Sequence, residues 1–161
     1  MSIQIGQPLP DIAIKAIVDG RIEADRTGAL YAGRKAVLFA VPGAFTPTCS
    51  EKHLPGYVQR HEAFHARDIA VHCLAVNDAY VMQAWAAAQK VPPGLVLLAD
   101  GNADFTRALG LELDGSSYGM GLRARRFALY AENGVVRQLH VEAPGEFRVS
   151  GADAVLAALG G

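Results

Sequence analysis

The chain lacks most of what marks an exported, membrane-spanning or nucleic-acid-binding protein. Cysteine occurs only twice in 161 residues, as Cys49 and Cys73. Two thiols cannot form the disulfide framework of a small secreted domain, so a reducing compartment, the cytoplasm, is expected and each thiol must be weighed singly. Neither sign of charge is in excess: 15 Lys and Arg face 16 Asp and Glu, a formal net charge of −1. Without a basic field there is nothing to gather phosphates over a broad surface, which disfavours nucleic-acid binding. Long hydrophobic runs are also missing. The longest, Ala36 to Val41, is far below the roughly 20 residues that cross a bilayer. The opening Met1-Ser2-Ile3-Gln4-Ile5-Gly6 has no charged stretch leading into an apolar one, so a soluble, unexported protein is expected. There is no internal repeat, low-complexity segment or linker, and 51% apolar residues suffice for one sizeable core, which predicts a single domain over residues 1–161.

What is present is an alternation of strands and helices. Ile12, Ile14 and Ile17 alternate with polar or small residues before Asp19-Gly20 and Arg21-Ile22-Glu23, which predicts an N-terminal β-hairpin. Lys35 to Val41 is an unbroken apolar run ended by Pro42-Gly43, the pattern of a strand covered on both faces. Leu54, Tyr57, Val58 and Phe64 then recur at helical spacing to about Arg67, with a break expected at Pro55-Gly56. A second buried strand spans Ile69 to Val76, and Asn77-Asp78 supplies N-caps for a helix over Ala79–Gln89. A third strand, Leu95–Ala99, precedes a short helix predicted from Asp100 to Leu109 and stopped by Gly110. Asn133-Gly134 joins strands 126–130 and 135–141 as a hairpin, and a helix over Ala152–Leu159 closes the chain. The fold class is α/β, with a mixed central β-sheet flanked by helices, parallel in its βαβ part and antiparallel where the hairpin joins.

The stretch Pro42-Gly43-Ala44-Phe45-Thr46-Pro47-Thr48-Cys49 leaves the carboxyl end of a central strand and enters a helix, the place where open α/β sheets bind ligands. A thiol in the first helical turn lies beside free N–H groups and the positive end of the dipole, which favour the nucleophilic thiolate. Against this stands the fact that free cysteine is among the most buried residue types. Thr46-x-x-Cys49 repeats the spacing of a redox Cys-x-x-Cys with threonine in place of the first thiol, so dithiol chemistry within the loop is excluded. The hydroxyl can instead donate one hydrogen bond and accept another, which suits a small substrate with two adjacent oxygens.

These residues resemble a known family. Pro42, Thr46 and Cys49 match the Pro-x-x-x-Thr-x-x-Cys motif of the peroxiredoxins. The runs 42–50, His53-Leu54-Pro55-Gly56-Tyr57 and Val76-Asn77-Asp78-Ala79-Tyr80-Val81-Met82 are similar to the type II, or peroxiredoxin-five, class along nearly the whole chain. The resemblance implies a thioredoxin-like fold with an N-terminal hairpin extension and a thiol peroxidase that reduces hydrogen peroxide and organic hydroperoxides in antioxidant defence. Cys49 would attack the peroxide and become a sulfenic acid. Thr46 would orient the peroxide, Pro42 would shield the thiolate, and an arginine before an aromatic strand would stabilise the developing charge. Of Arg123, Arg125 and Arg126, that position falls to Arg126; the other two read as solvated strand-end charges. No prosthetic cofactor is implied. Members with a resolving cysteine before the last helix differ from this chain, whose segment 144–151 has none. Cys73 remains a candidate resolving or accessory thiol, although its buried strand favours a packing role. Otherwise an external thiol must recycle the enzyme, with glutathione and glutaredoxin ranked before thioredoxin. A homodimer is expected by the same resemblance.

Other readings use the same residues differently. His61-Glu62-Ala63-Phe64-His65 matches the His-Glu-x-x-His of zinc metalloproteases, but no third ligand follows in the usual extension. A redox sensor or chaperone-like thiol protein would use Cys49 without turnover. His53 reads as structural, packed beneath the Pro55-Gly56 break, while His72 and His140 lie in strands. Trp85 and Met82 share a helical face and read as core or subunit interface.

Overall fold

The computed structural model describes residues 2–160. Strand β1 (Ala13–Val18) turns through Asp19-Gly20 into β2 (Arg21–Arg26), with Val18 opposite Arg21. A short helix α1 (Thr27–Tyr31) leads to β3 (Lys35–Ala40). After the loop at 41–46 the chain is helical from Pro47, passes a π-helical turn at Cys49–His53, and continues as α2 (Leu54–Gln59) and α3 (His61–His65). Then follow β4 (Ile69–Ala75), α4 (Ala79–Ala88), β5 (Leu95–Ala99) and α5 (Asp104–Leu109). The ribbon β6 (Glu112–Asp114) and β7 (Leu122–Ala124) precedes the hairpin of β8 (Phe127–Glu132) and β9 (Val135–Val141), and α6 (Ala152–Ala158) closes the fold.

One sheet of seven strands has the order β2-β1-β5-β4-β3-β8-β9. The centre β5-β4-β3 is parallel, and β1 and β8 flank it antiparallel. Alternation along β3 sorts its residues to two cores. Val37 and Phe39 face the layer that holds Cys49, Tyr57, Phe64, Trp85 and Val155. Leu38 and Ala40 face Phe105, Leu109, Phe127 and Leu129. Both faces are covered, which is why β3 reads as an unbroken apolar run. Ile17 belongs to the first core and Ile14 to the second, because β1 is an inner strand of the sheet with β2 outside it.

The capping chemistry follows the sequence closely at two helices. Asp78 accepts the Val81 N–H at 2.8 Å at the start of α4. Gly110, at φ +69°, ends α5 in the left-handed conformation that costs glycine nothing.

Three expectations are corrected. The break in the long helix falls at Arg60, not at Pro55-Gly56. Leu54 N–H reaches back five residues to Cys49 C=O, and Pro55 then sits in the first turn of α2, where a missing N–H breaks no ladder bond. Helix α5 starts at Asp104, not Asp100. Asp100 stays outside it, and its carboxylate accepts from Phe105 N–H, Thr106 N–H and the Thr106 hydroxyl. The β6–β7 ribbon was not expected at all, since strands of three residues leave no periodic signal.

Candidate active site

The loop from Val41 to Thr46 leaves the carboxyl end of β3 and is held in place from several sides. Ala44 N–H donates to Asn77 Oδ1 at 3.0 Å, which ties the loop to the end of the neighbouring strand β4. The Thr46 hydroxyl donates to Gly43 C=O at 2.6 Å. A Cβ at Gly43 would lie 3.2 Å from Thr46 Cγ2 and 3.3 Å from Arg123 Nη1, so a larger residue would push on both. Between them Phe45 adopts φ +63°, a strained conformation for an aromatic residue, and the residue is 56% exposed.

Cys49 lies in the first turn of the helix that starts at Pro47, and only 1% of it is exposed. Arg126, directly before β8, aims Nη2 at Cys49 Sγ from 3.2 Å. A guanidinium has only donors, so the sulfur must accept, as a thiolate does best. The Ala128 and Tyr130 side chains share the Cys49 layer, while Phe127 and Leu129 lie on the other face. Arg126 also lines a cleft of about 680 Å³, together with Pro42, Thr46, Leu113, Met120 and Phe147 among others. The structure thus brings Pro42, Thr46, Cys49 and Arg126 to one place.

A polar relay behind Arg126 was not anticipated. Arg126 Nη1 lies 2.8 Å from His53 Nδ1, and His53 Nε2 lies 3.0 Å from Ser150 C=O. Arginine can only donate and a carbonyl can only accept, so the His53 proton sits on Nε2 and Nδ1 receives Arg126. Burial first, and the neighbouring guanidinium second, push the imidazole down to about 3, so it stays neutral. The ring is enclosed between Phe39 and Phe147, with centroids 4.9 and 4.8 Å away. The Ser150 carbonyl also accepts the Tyr57 hydroxyl at 2.7 Å.

Ser150 is fixed in turn by Glu142. This buried carboxylate accepts from the N–H groups of Arg148, Val149 and Ser150 and from the Ser150 hydroxyl. Burial pushes the Glu142 carboxyl up, but those hydrogen bonds outweigh it and hold it below its ordinary value. Glu142 N–H also donates to Arg126 C=O at 3.0 Å. His53 therefore does more than pack beneath a proline break: it holds the guanidinium that faces the thiol. The signal available for it was its place in the run 53–57, while Glu142 had none.

The remaining candidates separate. Cys73 lies in the middle of β4, between Phe39 of β3 and Leu97 of β5, fully buried. Burial first, and Cys49 second, push its thiol well above its ordinary value. Arg123 donates to Met120 C=O and Val76 C=O, bracing β7 against the end of β4. His61 and His65 lie on α3, ring centroids 6.3 Å apart, lining a cleft with Arg34, Lys35 and Asp68. Among the described residues no third metal-ligating side chain joins them. Trp85 is core, its indole N–H donating to the Ser50 hydroxyl.

A buried thiol faced by a guanidinium, at the start of a helix that follows a central parallel strand, defines a thioredoxin-like thiol enzyme. The comparisons with known proteins are specific about which. The redoxin family matches residues 4–156. Peroxiredoxin-2E-2, chloroplastic, of Oryza sativa subsp. japonica is 47% identical over 164 residues, covering 98% of this chain and 73% of that protein. Reduced Prx3 of Vibrio vulnificus in complex with hydrogen peroxide superposes with a TM-score of 0.91 and 47% identity, covering 98% of this chain and 99% of that one. A Burkholderia cenocepacia protein described as a putative thioredoxin reductase superposes with a TM-score of 0.95 and 43% identity over all of both chains. This chain belongs to the redoxin family and, within it, to the peroxiredoxins of the type II, or peroxiredoxin-five, class. It is a thiol peroxidase, an oxidoreductase that needs no prosthetic cofactor and is recycled by a thiol reductant. That identification displaces the metalloprotease reading of His61-Glu62-Ala63-Phe64-His65. No helix among the described residues is long and apolar enough to cross a membrane.

Proposed function

We propose that Cys49 is the peroxidatic thiol, with Arg126, Thr46 and Pro42 around the reacting oxygens. The observation that carries this is the 3.2 Å approach to Cys49 Sγ of Arg126 Nη2, from a residue that lines an open cleft together with Thr46 and Pro42. The thiolate sulfur attacks one peroxide oxygen. An S–O bond forms as the O–O bond breaks, sulfur is oxidised by two electrons to the sulfenic acid, and hydroxide or alkoxide leaves and takes up a proton. Arg126 stays with the sulfur and the departing charge. Thr46, whose hydroxyl is anchored on Gly43 C=O, offers its lone pairs to the peroxide O–H. Pro42 forms an apolar wall of the cleft.

A first reducing thiol then attacks the sulfenic acid, water leaves, and a mixed disulfide forms; a second thiol reduces it and carries off the disulfide. We read glutathione with glutaredoxin as the donor ahead of thioredoxin, supported by the burial of Cys73 and the absence of cysteine from 144–151. A homodimer, with the exposed Phe45 near its interface, and a cytoplasmic role in antioxidant defence complete the proposal; both free thiols suit a reducing compartment.

The test is the intact mass of reduced protein after one equivalent of hydrogen peroxide. One added oxygen, absent in Cys49→Ser, is expected. Loss of two hydrogens within one chain would instead give Cys73 the resolving role, and an unchanged mass would overturn the proposal.

A further inference from the structure

Three arginines stand together at 123, 125 and 126, and the structure uses two of them. Arg123 is spent on the carbonyls of Met120 and Val76, and Arg126 on Cys49 and His53. Arg125 is anchored only through its backbone, N–H to Leu111 C=O at 2.8 Å. Arg125 is a half-buried residue that lines the same cleft as Thr46 and Arg126, and among the described residues its side chain makes no hydrogen bond or ion pair. Lys52 lines the same cleft and is likewise unpaired among the described residues. The acids on the rim do not neutralise these cations. The Glu142 carboxylate is filled by the backbone of 148–150, and Glu146 pairs with Arg148 at 3.6 Å. The same cleft also has apolar walls: Leu113, Tyr118, Met120, Pro144 and Phe147.

The cleft, at about 680 Å³, is also far larger than hydrogen peroxide needs, since a water-sized molecule occupies about 30 Å³. We propose that Arg125, aided by Lys52, is a carboxylate subsite, and that the preferred peroxides are organic hydroperoxides with an apolar body and a carboxylate at the far end. The apolar body lies on the cleft wall, the carboxylate meets the guanidinium, and the hydroperoxide reaches Cys49. The reaction is the one already written, with the carboxylated alcohol as product. This proposal rests on Cys49 as the reacting thiol. The carboxylate chemistry is shared by glutathione, and the measurements below tell the two sources apart.

The para-carboxamide and the para-carboxylate of cumene hydroperoxide differ by one charge at closely matched shape. In the full-length enzyme the kcat/KM for the carboxylate is expected to exceed that for the neutral peroxide. In Arg125→Gln that ratio falls about three- to tenfold, in Lys52→Gln about twofold, and Arg125→Lys keeps most of it. Raising the salt concentration lowers the ratio in the wild type but not in Arg125→Gln. Titration calorimetry with the para-carboxylated alcohol, which needs no turnover, should show weaker binding in Arg125→Gln by the same factor. That arm reads the subsite even if Cys49 proved not to react. A ratio equal in wild type and Arg125→Gln overturns the proposal, as does a charge dependence found only in the kcat/KM for glutathione.

Discussion

Cys49 and Cys73 lie in the same apolar layer, 1% and 0% exposed, and differ in everything else that matters to a thiol. Cys73 is held inside a strand between two others, where burial disfavours its charged form. Cys49 sits where a strand has ended and a helix begins, with a guanidinium 3.2 Å from sulfur that belongs to a residue lining an open cleft. With Cys49 as the proposed reacting thiol, burial alone does not decide reactivity. What decides it is whether the backbone has left the sheet, so that a cation and a substrate can both approach the sulfur.

Exchanging the thiols one at a time gives the largest contrast. Cys49→Ser is expected to reduce peroxide turnover to the uncatalysed level with an unchanged thermal transition, whereas Cys73→Ser should still gain one oxygen on Cys49 with peroxide. Stopped-flow oxidation and intact mass read both. If Cys73→Ser also lost the reaction, the two buried thiols would act as a pair and the contrast would fail.

The guanidinium can be removed next. Arg126→Gln should lower kcat/KM for hydrogen peroxide by about 10²- to 10³-fold, the usual cost of losing one preorganised donor at a site of developing charge. Arg126→Lys should rescue little, because a single ammonium cannot serve both Cys49 Sγ and His53 Nδ1 in the planar fork observed. A fall of less than about tenfold in Arg126→Gln, an order below that cost, would mean the helix start alone sustains the thiolate.

A smaller effect belongs to Glu142. Glu142→Gln brings an NH₂ group toward the N–H donors of 148–150, and should cost about 1–3 kcal/mol of stability, read from denaturant midpoints. Through Ser150, His53 and Arg126 it should also slow peroxide reduction, by less than Arg126→Gln does. A variant as fast as wild type would separate the relay from the reaction.

This relay marks the limit of what the residues alone announce. Lys35–Ala40 was legible because a strand covered on both faces leaves a continuous apolar run, and Asn133-Gly134 because the turn needs the positive φ both residues adopt, +49° and +75°. The placing of Thr46 close to Cys49 was legible because one loop carries both. His53 was not, since its role depends on a carbonyl 97 residues downstream, and Glu142 serves that carbonyl through a loop with no periodic signal. The ribbon β6–β7 escaped for the same reason: it is held by turns and by Arg123 rather than by a hydrophobic pattern.

The last contrast sets two imidazoles on opposite faces of the sheet. His53 beside Arg126 is pushed down to about 3, and His72, hydrogen-bonded to the Tyr31 hydroxyl at 2.8 Å, to about 4, both chiefly by burial. Each folded value lies below that of the unfolded chain, so the unfolded state binds more protons as pH falls from about 6.5. Stability should be flat above about pH 7.5, then decline toward pH 4 with a slope approaching about 1.4 kcal/mol per pH unit for each imidazole. The double variant Tyr31→Phe/His72→Leu removes one imidazole and its partner without stranding either, and leaves the Cys49 face intact. Its pH slope in denaturant titrations between pH 6.5 and 5 should be shallower by about one proton, with the His53 contribution still present. An unchanged slope would mean that His72 titrates alike in both states, and that burial on that face does not exclude the proton.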